Sequence, residues 1–289
     1  MTTFNKKLST SLREISSKLA IILFSLSLSL TALATTFEKI YVLAHEGDAM
    51  AQFSLGGYYQ FGIDTEQDLA QAKNWYQKAA NQGVAEAQFN LGQMYLYGNG
   101  VQQNYNQALY WLEKSAQQDF IMAQYNLGAL YDGGEGIKQD YTKSLDWYAK
   151  AANQGHATSQ FQLGVMYEYA RGTAQDYAKA AHWYAKAANQ GHAMAQNNLG
   201  VLYENGQGVE QDYTQALHWY TQAAEQGNAR AQFTVAAIYD SGSGVAQDFV
   251  KAAHWYQKAA AQGHPQAQYN LGNFYYNGTG VEQDFAKAN

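Results

Sequence analysis

The sequence of 289 residues contains no cysteine, and this absence excludes several classes of protein. Without cysteine there are no disulfides, no thiolate zinc sites and no cysteine nucleophile. Proline occurs once, which excludes a proline-rich or collagen-like chain even though glycine occurs 26 times. Apolar residues make up 47% of the chain, enough to form an extended core, so we do not expect global disorder.

Tryptophan is also infrequent, but its positions are regular. Each of the six tryptophans follows the previous one by 36 residues: Trp75, Trp111, Trp147, Trp183, Trp219 and Trp255. A fixed period of this size is typical of a stacked array of repeats rather than of a globule with one central core.

The first 34 residues lie outside this period and have the pattern of a secretory signal. Four basic residues, Lys6, Lys7, Arg13 and Lys18, precede an apolar run over residues 19–33 that ends in small residues at Ala32 and Ala34. The alternative is an uncleaved membrane anchor, but a run of about 15 residues is shorter than the ~20 that span a bilayer. We therefore predict a signal peptide over residues 1–34, cleavage after Ala34, and an exported chain, periplasmic or secreted, without stable membrane insertion.

Removal of this segment makes the chain more acidic. Residues 1–34 contain four of the 18 basic residues and one of the 24 acidic residues. The remaining chain therefore has 14 basic and 23 acidic residues, which gives a net charge of −9. An acidic array does not attract nucleic acid or anionic lipid, so we predict no nucleic-acid partner.

Each repeat predicts two helices joined by a glycine turn. In the fifth copy, apolar spacing predicts a first helix of about 13 residues, although Gly200 in its middle costs about 1 kcal/mol relative to alanine. Glycine recurs there in most copies, which implies close approach of a neighbouring helix. Gly206 and Gly208 are expected to end this helix in a tight turn, and Asp212 to cap the second helix, which Gly227 closes.

The segments AQFNLGQMYLYGNGVQQ (87–103) and KAAHWYQKAAAQG (251–263) resemble the Sel1-like repeat, a relative of the tetratricopeptide repeat. The resemblance implies an all-α, right-handed superhelical solenoid of two-helix repeats, and an interaction scaffold more often than an enzyme. The repeats are expected at 48–83, 84–119, 120–155, 156–191, 192–227, 228–263 and, incompletely, 264–289. An N-terminal capping half-repeat is expected at 35–47. Because the seventh copy stops within its second helix, we expect either a frayed, exposed edge or a truncated gene product.

No set of residues predicts catalysis, a cofactor or a metal site. The histidines occupy equivalent positions in successive repeats, and these positions are expected to lie about 10 Å apart. A zinc ion requires each of its ligand nitrogens to lie within about 2.1 Å of the metal, so this arrangement does not suit a zinc site. We interpret the histidines as surface or interface residues; a pH-sensitive stripe or a weak metal site is the alternative. The acidic residues near the ends of the first helices are expected to face solvent. The recurring tyrosines of the first helices are interpreted as packing residues, and the invariant glutamines as partners of backbone groups between repeats.

A partner is expected to contact the positions that vary among the copies, because packing positions recur. These positions lie three or four residues apart on the first helices and therefore share one face, which by the resemblance lines a concave groove. The candidate partner-binding residues are Met50, Glu86, Gln93, Leu96, Tyr97, Met122, Asp132, Val165, Glu168, Tyr169, Met194, Val201, Glu204, Asn205, Arg230 and Asp240.

The predicted function is an exported scaffold that binds a protein or a peptide, with some basic character, in this groove. One alternative is an envelope enzyme or a ligand of cell-wall material. It draws on exported relatives that bind β-lactams, but those depend on a cysteine pair in each repeat, which this chain lacks. The other alternative is a host-directed virulence factor, which the sequence neither favours nor excludes.

Overall fold

The computed structural model describes residues 37–134 and 136–288. The predicted signal peptide and its cleavage site lie outside the described residues. Within the described ranges every regular element is an α-helix, as the resemblance predicts. None of these helices is long and apolar enough to cross a membrane.

The described helices belong to two compact units, divided between Lys138 and Gln139. Unit 1 contains α1 (Phe37–Glu46), α2 (Ala49–Phe61), α3 (Leu69–Asn81), α4 (Ala85–Tyr97), α5 (Tyr105–Ala116) and α6 (Ile121–Gly133). Unit 2 contains α7 (Tyr141–Asn153), α8 (Ala157–Glu168), α9 (Tyr177–Asn189), α10 (Ala193–Asn205), α11 (Tyr213–Glu225), α12 (Ala229–Ser241), α13 (Phe249–Ala261) and α14 (Pro265–Asn277).

The helices follow the predicted two-helix period. From α2 onward, even-numbered helices are the first helices of repeats 1 to 7, and odd-numbered helices are the second helices of repeats 1 to 6. Within each unit, every helix packs against the next one in the chain. The buried residues form clusters between the second helix of one repeat and the first helix of the next, such as α9 with α10. We call this contact surface a seam.

The second helices begin where the sequence predicts. Asp212 has an extended backbone, and its carboxylate accepts hydrogen bonds from the backbone N–H groups of Thr214 and Gln215, at 2.8 and 3.0 Å. The equivalent residues cap the other second helices in the same way: Asp68, Asn104, Asp140, Asp176 and Asp248. Because the cap occupies N–H groups that have no partner inside the helix, it fixes where each second helix starts.

The glycine in the middle of the first helix makes room for a side chain, which confirms the predicted close approach. A Cβ atom on Gly200 would lie 2.8 Å from the ring of Tyr220, and one on Gly56 would lie 2.6 Å from the ring of Tyr76. Each ring belongs to the second helix of the same repeat. These tyrosines are almost completely buried, so the glycine allows the two helices of a repeat to enclose an aromatic ring.

The invariant glutamines join consecutive repeats, as predicted. The side-chain amide of Gln196 donates to the Ala188 carbonyl at 3.1 Å, and its oxygen accepts from Gln226 at 2.7 Å. The donation to the previous repeat recurs for Gln52, Gln88, Gln124, Gln160, Gln232 and Gln268. Each glutamine thus adds a second hydrogen bond to a carbonyl in the last turn of the preceding helix, which also accepts from the backbone N–H three residues later.

Candidate partner-binding site

In unit 1 the predicted partner-binding residues lie on α2, α4 and α6, and their exposure varies. Met50 is exposed. Glu86, Tyr97, Met122 and Asp132 are half-buried. Gln93 and Leu96 are buried, at 9% and 6% exposure, although the sequence predicts that they contact a partner. A helical period identifies the face of a helix but not how deeply its neighbours cover that face.

In unit 2 the predicted residues lie on α8, α10 and α12 or directly after α8. Tyr169 and Met194 are large side chains exposed to solvent, at 60% and 52%. Asn205 and Arg230 are also exposed, whereas Val165, Glu168, Val201, Glu204 and Asp240 are half-buried. The face therefore combines an aromatic ring, a thioether, a guanidinium group and a row of carboxylates.

Each of these carboxylates accepts a hydrogen bond from a buried tyrosine of the second helix in the same repeat. The Tyr184 hydroxyl donates to Glu168 at 2.5 Å, the Tyr220 hydroxyl to Glu204 at 2.7 Å, and the Tyr256 hydroxyl to Asp240 at 3.1 Å. The side chains of Glu168, Glu204 and Asp240 are therefore not freely solvated, which corrects the prediction from sequence.

Burial, followed by hydrogen bonding to the carboxylate, raises the pKa of Tyr184 and of Tyr220 far above the ordinary tyrosine value. Burial raises the pKa of Tyr256 to about 12. These hydroxyls therefore remain protonated donors at physiological pH.

Unit 1 contains a neutral version of the same pair. In repeat 1 the buried Tyr76 hydroxyl donates to the amide oxygen of Gln60 at 2.6 Å. In repeat 2 both positions are leucine, Leu96 and Leu112, and both are buried. The residue at the end of the first helix therefore matches the one on the second helix: glutamine accompanies tyrosine in repeat 1, leucine accompanies leucine in repeat 2, and a carboxylate accompanies tyrosine in repeats 4 to 6.

Histidine has a structural role that sequence reasoning did not identify. His192 and His264 cap α10 and α14, each with its Nδ1 atom 3.3 Å from a backbone N–H, and His156 caps α8. An alignment of the repeats could have revealed this role, because these histidines occupy the position of Asp48 and Asn228 in other repeats.

The second series of histidines lies on the second helices and is exposed: His182, His218 and His254. Each of these rings contacts the following tryptophan ring edge-on. Among the described residues no group of three or more histidine, aspartate or glutamate side chains is placed to hold a metal ion.

The sequence model of the Sel1 repeat family matches seven consecutive segments of the chain, at 49–84, 85–120, 121–156, 157–192, 193–228, 229–264 and 265–289. The chain belongs to the Sel1 repeat family. Sel1 repeats generally mediate protein–protein interactions, and scaffolds built from them are generally not enzymes. A comparison with curated proteins found no match.

Two solved structures resemble this Sel1 repeat protein along most of its length. A protective antigen present in uropathogenic Escherichia coli strains, which displays an SLR fold, is 35% identical with a TM-score of 0.84. That match covers 98% of this chain and 62% of the antigen, so the chain spans less than two thirds of the antigen's length. A Sel1 repeat protein from Oxalobacter formigenes is 34% identical with a TM-score of 0.73, and the match covers 93% of this chain and 80% of that protein.

Proposed function

We propose that this Sel1 repeat protein is an exported scaffold that binds a cationic segment of another protein on unit 2. The proposed binding surface, which we call the first-helix face, consists of the predicted partner-binding residues on α8, α10 and α12 and directly after α8. The observation that carries this proposal is the set of tyrosine-bound carboxylates Glu168, Glu204 and Asp240. In Glu204 and Asp240 the tyrosine holds one carboxylate oxygen, which leaves the second as an acceptor at the half-buried surface of the face.

Two physical effects favour a cationic partner. A carboxylate already fixed by a buried hydroxyl loses less side-chain freedom when a lysine or arginine binds it, and such ordering costs about 0.5–1.5 kcal/mol for each flexible side chain. Exposed Tyr169 adds an aromatic ring next to Glu168, and a ring of this kind attracts a cation by about 0.5–1 kcal/mol at an exposed site. The binding is by shape and charge, with no chemical step.

The test is selection of binders from a displayed peptide library, followed by measurement of Kd for an enriched cationic peptide. In the variant E168Q/E204Q/D240N we expect the affinity to fall at least roughly tenfold, which corresponds to about 1.4 kcal/mol. The matched control is E210Q/E225Q/E282Q, which changes the net charge equally at exposed residues outside this face of the helices. We expect the control to change the affinity less than about twofold, because exposed charges contribute little.

Equal losses in the two variants would show attraction to net charge and not to this face. Enrichment of acidic or uncharged peptides would contradict the proposed class of partner. Raising the ionic strength is expected to weaken the wild-type complex more than that of E168Q/E204Q/D240N, because the wild type has more charge pairs for the salt to screen.

Export is the second part of the proposal and rests on residues 1–34, with their basic start, apolar run and small residues before the cleavage site. The similarity to a protein described as a protective antigen supports it. Intact mass measurement of the protein from the periplasmic and culture fractions tests it, with a chain that begins at residue 35 expected. Recovery of the full-length chain only in the cytoplasmic fraction would contradict export without affecting the peptide experiment.

A further inference from the structure

In each of two seams of unit 2, an aromatic stack joins the two neighbouring repeats. Phe161 on α8 stacks on His192, the cap of α10, with ring centroids 4.7 Å apart and planes at 22°. Phe233 on α12 stacks in the same way on His264, the cap of α14, at 4.6 Å and 14°. These contacts join repeat 4 to repeat 5 and repeat 6 to repeat 7.

The seam between repeats 5 and 6 has two asparagines in place of this stack. Asn197 occupies the phenylalanine position and Asn228 the histidine position. Asn197 is only 4% exposed, and its Oδ1 atom is buried without a hydrogen-bond partner, while its amide donates to the adjacent Asn198 at 3.3 Å. The side-chain oxygen of Asn228 accepts from the Ala231 backbone N–H to cap α12. This seam therefore lacks a stack and contains an unsatisfied polar atom.

We propose that the seam between repeats 5 and 6 is the place where unit 2 opens first, separating repeats 4 and 5 from repeats 6 and 7. In a repeat array each repeat is stabilised by its neighbours, so the weakest seam opens most often. Glu204 and Arg230 belong to the repeats on either side of this seam. Opening therefore changes the spacing of residues on the first-helix face, and a partner that contacts both repeats favours the closed form. The proposal rests on packing alone and does not require the proposed partner.

The absence of cysteine allows a direct test by labelling of single buried thiols. Ala195 on α10 and Ala231 on α12 are both 0% exposed and occupy equivalent positions in the seams before repeats 5 and 6. The full-length variants A195C and A231C are labelled with a thiol reagent under native conditions, and each rate is divided by the rate of the same variant in urea. We expect A231C to react at least roughly tenfold faster than A195C, which corresponds to about 1.4 kcal/mol of opening free energy.

Exchanging the residues at these two positions between the two seams provides matched controls. Adding N197F/N228H to A231C introduces the stack and is expected to slow its labelling by about tenfold, without effect on A195C. Adding F161N/H192N to A195C removes the stack and is expected to accelerate its labelling by a similar factor. Circular dichroism checks that each variant retains its helix content. If N197F/N228H does not fold, F161N/H192N and hydrogen exchange of the unsubstituted chain decide the question.

Equal labelling of A195C and A231C would overturn the proposal. The same conclusion would follow if neither exchange of residues shifted the site of fast labelling. In the unsubstituted chain, slower hydrogen exchange over α11 and α12 than over α9 and α10 would also contradict it.

Discussion

Ala170 occupies the same left-handed backbone position as Gly206 in the next repeat, with φ of 56° against 66°. Glycine adopts this conformation freely, whereas the Cβ of any other residue is crowded there, at a cost of roughly 1–2 kcal/mol. The other first helices end on glycine at this position, and α8 ends one residue earlier, at Glu168. Repeat 4 therefore contains local strain in the turn that follows Tyr169.

We expect Ala170→Gly to stabilise the protein by about 0.5–1 kcal/mol, because relief of strain exceeds the greater freedom of glycine in the unfolded chain. The urea midpoint measures the change. The matched control is Gly206→Ala, which is expected to lower the midpoint, because its Cβ would also lie 3.2 Å from that of Gln211. A lower midpoint for Ala170→Gly would show that the alanine methyl group makes contacts that outweigh the strain.

The pair of Tyr220 and Glu204 gives a second prediction. Removing the hydroxyl in Tyr220→Phe eliminates its 2.7 Å hydrogen bond to a half-buried carboxylate, and we expect a loss of about 1–2 kcal/mol in stability. Glu204→Gln is expected to cost less, because Gln60 accepts from Tyr76 in repeat 1. Urea unfolding of both single variants and of the double variant measures the coupling. Tyr213→Phe, which removes an exposed hydroxyl, is the control and is expected to change stability only slightly.

The sequence predicted the repeat, the caps and the glutamine links, because each depends on residues close together in the chain or on positions that recur in every copy. It did not predict the tyrosine–carboxylate pairs. Tyr220 and Glu204 lie on different helices of one repeat, and the periodicity of each helix leaves the angle between them undefined. The burial of Gln93 was missed for a related reason: the side chain lies on the predicted face, but the cover provided by neighbouring side chains depends on tertiary packing.

Gln93 itself gives the third prediction. Both atoms of its side-chain amide are buried without a hydrogen-bond partner, which costs about 1–3 kcal/mol for each unsatisfied group. Gln93→Met retains the length of the side chain and removes both polar atoms, so we expect a gain of about 1–2 kcal/mol, measured by urea unfolding.

The same substitution five residues earlier in α4 is the control. Gln88 donates to the Ala80 carbonyl at 3.0 Å and accepts from Gln118 at 2.8 Å. Gln88→Met is therefore expected to destabilise the protein, since it leaves the Ala80 carbonyl without this donor. If the two variants changed stability in the same direction, hydrogen bonding would not be the property that distinguishes the two glutamines.

The histidine caps predict a loss of stability in mild acid. Burial lowers the pKa of His156 and of His192 below the ordinary value of 6.5, and each histidine also has a helix-capping hydrogen bond that requires a neutral Nδ1. As the pH falls through 6.5 the unfolded chain binds protons that the folded chain does not, so stability is present above this pH and decreases below it. We expect the urea midpoint to fall between about pH 7.5 and pH 5.5.

His192→Asn separates capping from protonation. Asparagine caps α12 through Asn228 with a 2.9 Å hydrogen bond and does not titrate, so the variant is expected to lose less stability than the wild type over this pH range. Its midpoint at the higher pH is expected to be lower than that of the wild type, because the stack on Phe161 is lost. An unchanged pH dependence in His192→Asn would place the acid-sensitive group elsewhere in the chain.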